Sequence, residues 1–133
     1  MLHTLMRQLG FTAVARHRSL QATLYRQGNV NFLVNEEPTG FAAEFAARHG
    51  PCAVGFAIRV RDAAAALENA LGKDARSMSE SAKNLPVDTP VIEGIGGSLL
   101  YLVDRYGDND VFESTFEPIP GVDQHPAGLG LHT

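Results

Sequence analysis

A helical run ending in Leu-Gly occurs twice in this chain, and each time strand-like segments follow it. Leu2, Leu5, Met6 and Leu9 fall at i, i+3, i+4 and i+7, one stripe of a helix, and Gly10 follows as a stop. Asp62 is a good N-cap for a second such helix, Ala63 to Leu71, with Gly72 behind it. After the first come Phe11–Arg18, the alternating run Leu20–Gln27 and Val30–Asn35, with Gly28-Asn29 as a two-residue hairpin signal between the last two. After the second come a weak polar stretch from Ala75 to Asp88, then Val91-Ile92, Ser98–Arg105 and Phe112–Ile119. The second helix is preceded by Cys52–Val60, so apolar that it predicts a strand covered on both faces. The first helix has no such strand before it. The expectation is an α+β fold of two βαβββ modules, the first lacking its opening strand.

That repeat divides the chain into a first module over 1–50, which takes in a short helix around Phe41 and Phe45 ending at Gly50-Pro51, and a second over 51–119. The Gly- and Pro-containing segment 120–133 reads as a surface tail or linker. The 133 residues, 44% hydrophobic and 20% charged, are enough for an ordinary core without disulfides or metal. A net charge of −4 argues against nucleic acid as a partner. One cysteine excludes an internal disulfide framework and points to a reducing, cytoplasmic setting. The longest apolar stretch, Cys52–Ile58, is far short of the roughly 20 residues that span a bilayer.

The residues that could carry chemistry fall short of the patterns chemistry needs. His3, His17, His49, His125 and His132 form no helical metal-ligand pair. His49 falls in the last turn of a helix, where its charge complements the macrodipole. Cys52 follows a helix C-terminus and opens an apolar strand, so it reads as a buried structural thiol, not a nucleophile. Gly94-Ile95-Gly96-Gly97 leads into a strand, not a helix, so it is a bend and not a phosphate cradle. Asp108-Asn109-Asp110 reads as a turn without the further ligands of a Ca²⁺ loop. Glu36 and Glu37 are adjacent and point to opposite faces. Arg16-His17-Arg18 reads as a solvated strand edge. No catalytic, cofactor-binding or metal-binding residue is assigned.

Two successive βαβββ units are the plan of the vicinal oxygen chelate superfamily (glyoxalase I, bleomycin-resistance proteins, extradiol dioxygenases). Within it, the chain resembles the N-terminal domain of the bacterial 4-hydroxyphenylpyruvate dioxygenase family. The resemblance is carried by Leu-Gly-Phe-Thr at 9–12, His-Arg-Ser at 17–19, Leu-Tyr-Arg-Gln-Gly at 24–28 and Phe-Ala-Ala-Arg-His-Gly-Pro at 45–51. It continues through Phe-Ala-Ile-Arg-Val at 56–60, Ile-Gly-Gly at 95–97 and Leu-Tyr-Leu-Val-Asp-Arg-Tyr-Gly at 100–107. The segment Gly121-Val-Asp to Gly128-Leu-Gly-Leu is similar to the family's linker before the catalytic domain.

The resemblance implies a role in an enzyme that converts 4-hydroxyphenylpyruvate and dioxygen into homogentisate and carbon dioxide in tyrosine catabolism. The family holds non-haem Fe(II) through two His and one Glu in its second domain, the facial set that leaves positions open for a 2-oxo acid and oxygen. Its N-terminal domain is a copy without metal. In a metal-bearing copy one His would stand where this chain has Gly55, and the Glu where it has Tyr101. The first iron-binding His would fall just beyond Thr133. This chain is therefore expected to support a catalytic domain and contribute oligomer contacts, without turnover of its own. The rival expectation is a stand-alone small-molecule-binding protein of the same superfamily, or a dimeric metalloenzyme with a site between chains. The related hydroxymandelate synthase is an alternative parent. A sheet left short of a strand is also expected to expose an edge at or near Phe11–Arg18 and to self-associate through it.

Overall fold

A computed structural model describes residues 2–80, 82–106 and 110–131. Asp108, Asn109 and His132, singled out above, lie outside the described residues. The elements in chain order are α1 (Leu2–Gln8), β1 (Thr12–His17), β2 (Ala22–Gln27), β3 (Val30–Asn35), α2 (Phe41–His49), β4 (Gly55–Arg59), α3 (Ala63–Leu71), β5 (Val91–Glu93), β6 (Leu99–Val103) and β7 (Phe116–Pro118). They form two compact units, one of Met1–Glu37 with Thr115–Thr133 and the other of Pro38–Ser114. Helix α2, placed by sequence in the first module, thus lies in the second unit. Strand β7, placed in the second, lies in the first.

The first unit is a four-stranded sheet in the order β3-β2-β1-β7, antiparallel throughout. Its hairpin turns at Gly28, which takes φ 58, as the sequence pattern requires. Helix α1 ends in a Schellman motif: Phe11 N donates to Met6 O and Gly10 N to Arg7 O, both at 3.0 Å, with Gly10 left-handed at φ 91. Met6 and Phe11 then pack together with Tyr25 and Val34. Only Met6 of the predicted stripe is buried; Leu2, Leu5 and Leu9 stay exposed. The helix is held by its neighbouring face, where His3 reaches Tyr25 and Glu36. Because β7 covers the outer side of β1, Arg16-His17-Arg18 is not a sheet edge, contrary to expectation.

The C-terminal segment is no loose tail. Strand β1 carries a bulge at Val14, whose carbonyl accepts from Ile119 N at 2.9 Å and from Gln124 Nε2 at 3.0 Å. Gly28 N donates to Pro126 O, and Arg26 Nη1 to Gln124 O. The anchor is Gln27, which is fully buried. Its Nε2 donates to Leu9 O at 2.9 Å, while its Oε1 accepts from Leu129 N at 2.7 Å and Leu131 N at 3.2 Å. A Cβ on Gly128 would lie 2.2 Å from Gly10 O, so only glycine lets the segment approach this closely.

The second unit has a three-stranded sheet, β4-β6-β5, in which β4 runs parallel and β5 antiparallel to β6. Ser77 adds an isolated bridge to Ile92, the remnant of the strand that the polar stretch hinted at. The unit follows the βαβββ plan: β4, α3, the Ser77 bridge, β5, β6. Asp62 Oδ1 caps α3 through Ala65 N at 3.0 Å, and Asp104 Oδ2 takes Ala63 N at 2.7 Å. The far end differs from expectation: Gly72 is right-handed, and the left-handed turn residue is Asp74 at φ 69. Ala63, Ile92 and Leu102 form the core beneath α3. Strand β4 spans only Gly55–Arg59 and is largely exposed, not covered on both faces, because it is an outer strand with one neighbour. Cys52, expected to be buried, precedes the strand and is exposed.

Replacing Gln27 with Leu strands the Leu9 carbonyl and the Leu129 and Leu131 amides. At roughly 1–3 kcal/mol for each buried group left unpaired, this substitution is expected to lower the urea midpoint markedly. Protection of the Leu129 and Leu131 amides from hydrogen exchange should vanish with it. A midpoint unchanged within error contradicts the anchoring role.

Candidate functional site

The place where a metal-bearing copy of this module would hold its ligands lies on adjacent strands of the second unit. Gly55 pairs with Leu99 and Ala57 with Tyr101 across the parallel β4–β6 ladder, so Gly55 and Tyr101 share one sheet face a diagonal step apart. The two positions singled out by sequence are thus brought together, and their residues are wrong for Fe(II). A Cβ built on Gly55 would sit 2.6 Å from Leu99 O and 2.9 Å from Leu99 Cβ, atoms that no rotamer change moves. A histidine cannot stand there without moving β6. Tyr101 is a phenol whose pKa burial pushes up to about 12, and it is not the carboxylate of the family's ligand set. No group of three or more His, Cys, Asp and Glu able to hold a metal occurs among the described residues.

Among the described residues, the rings of His3, His17 and His49 are engaged in the fold. His3 Nδ1 meets Tyr25 Oη and His3 Nε2 meets Glu36 Oε1, each at 2.6 Å, pinning α1 over the buried Tyr25 hydroxyl. His17 Nδ1 accepts from Ser19 N at 3.1 Å and Leu20 N at 2.9 Å, closing the bend after β1, and its ring stands edge-on to Phe116. His49 Nδ1 donates to Phe45 O at 3.0 Å and stacks on the Phe45 ring, a helix-end role as expected. His125 lies in the docked C-terminal segment, its backbone N donating to Asp123 Oδ1. Glu37 does not act with Glu36; its Oε2 accepts from Gln21 N. Gly94–Gly97 forms a tight 3₁₀ turn, closed by Gly94 N to Ser98 O and leading into β6, with Gly96 and Gly97 left-handed. Asp110 Oδ1 accepts from Phe112 N at 3.0 Å, closing a turn.

One open groove of about 460 Å³ lies along α3 in the second unit. Several of its polar groups are engaged in the fold: Ser79 Oγ accepts from Val91 N, Thr89 Oγ1 donates to Leu102 O, Arg105 Nη2 donates to Asp88 O, and Asp104 Oδ2 accepts from Ala63 N. No helix among the described residues is long and apolar enough to cross a membrane.

The residue that sequence reading missed is Gln27. In an alternating strand it passes for a solvent-facing polar residue, and its partners lie up to 104 positions away. Its one visible signal was membership in the Leu-Tyr-Arg-Gln-Gly motif, whose Tyr25, Arg26 and Gln27 all prove to be buried in the first sheet.

Tyr101 makes an alkaline prediction. Its pKa in the fold, about 12, lies above the ordinary value of 10, so the folded chain keeps a proton that the unfolded chain loses. Its stabilising share is complete below pH 10 and falls as pH rises from 10 toward 12. In Tyr101→Phe the urea midpoint should decline less over that window than in the parent; equal declines count against the burial.

Known proteins resemble this chain over most of its length. The profile of the family described as "Hydroxyphenylpyruvate dioxygenase, HPPD, N-terminal" matches residues 1–117. A 4-hydroxyphenylpyruvate dioxygenase of Pseudomonas sp. (strain P.J. 874) is 44% identical over 92% of this chain and 35% of its own length. "Hemolysin VllY" of Vibrio vulnificus (strain CMCP6) is 48% identical over 86% of this chain and 32% of its own. The solved structure of a xylose isomerase-like TIM barrel/4-hydroxyphenylpyruvate dioxygenase fusion protein superposes with a TM-score of 0.78 and 31% identity, over 90% of this chain and 19% of that one. The chain spans about a third of the length of the curated relatives it matches. With its mixed α+β modules of the vicinal oxygen chelate type, it belongs to the hydroxyphenylpyruvate dioxygenase N-terminal domain family.

Proposed function

We propose that this chain is the non-catalytic, scaffolding part of a 4-hydroxyphenylpyruvate dioxygenase-like protein, acting by packing and self-association and not by metal chemistry. The observation that carries this reading is Gly55, whose close approach to Leu99 leaves no room for a ligand side chain. The exposed, unpaired Cys52 fits a reducing, cytoplasmic setting. The exposed apolar side chains of α1, Leu2, Leu5 and Leu9, support contact with a second copy or with a catalytic domain.

The test is oxygen uptake by the purified chain supplied with Fe(II), ascorbate and 4-hydroxyphenylpyruvate. Uptake no greater than in the metal-only control is expected. Substrate-dependent uptake overturns the reading and points to the rival, a metalloenzyme assembled between chains.

A further inference from the structure

We draw no further inference here: the strongest candidate, the exposed apolar patch of Phe56 and Ile58 on the outer strand β4 of the second unit, carries nothing because nothing in the structure shows what covers it.

Discussion

The side-chain amide of Gln27 holds together parts of the first unit that no local rule would join. It sits at the end of β2, fully buried, and binds the α1–β1 connection through Leu9 O and the far C-terminal segment through Leu129 N and Leu131 N. A buried amide is costly unless paired, so its partners must arrive together, and they are brought by two glycines. Gly10 ends α1 in the left-handed conformation, and Gly128 lets the returning chain pass where a Cβ would collide with Gly10 O. The bulge at Val14 works the same way, freeing one carbonyl to accept both Ile119 N and the Gln124 side chain. The first sheet is thus finished by residues that follow the second unit in sequence, β7 among them.

A parallel economy governs the second unit. The module keeps the β4–α3–β5–β6 plan, and close packing governs the two positions at which the resemblance would put ligands in a metal-bearing copy. Gly55 brings β4 hard against β6, and Tyr101 fills its place with a ring whose hydroxyl burial keeps protonated. These are linked consequences of one choice: the close approach that suits glycine at 55 excludes any side chain there. Elsewhere in the unit, Asp62 and Asp104 are committed to the α3 N-terminus and Arg105 to a backbone carbonyl.

Much of this architecture was legible from local pattern. The Asp62 cap, the Gly28-Asn29 hairpin and the helical spans follow from capping, turn and periodicity rules that act within a few residues. The elements that escaped are those decided at long range. Strand β7 keeps three of the eight residues expected of it, because its length is set by pairing to β1 and not by its own composition. The Gly- and Pro-containing segment after it resembles a linker, yet its amides dock on Gln27. Burial of β4 and Cys52 was misjudged because apolar sequence says what can be covered, not whether a neighbour is there to cover it. The two Leu-Gly signatures look alike, yet Gly10 takes the left-handed position and Gly72 yields it to Asp74. At the candidate site, the identities of residues 55 and 101 were readable, but the collision that makes glycine necessary required the β4–β6 register.

The central proposal, that this chain holds no metal of its own, is tested most directly by anaerobic titration with Co(II), a spectroscopic stand-in for Fe(II) at His and carboxylate ligands. Absence of a saturable ligand-field band, with metal recovered as free ion by equilibrium dialysis, is the predicted result. A band that saturates at one metal per chain or per dimer would contradict it.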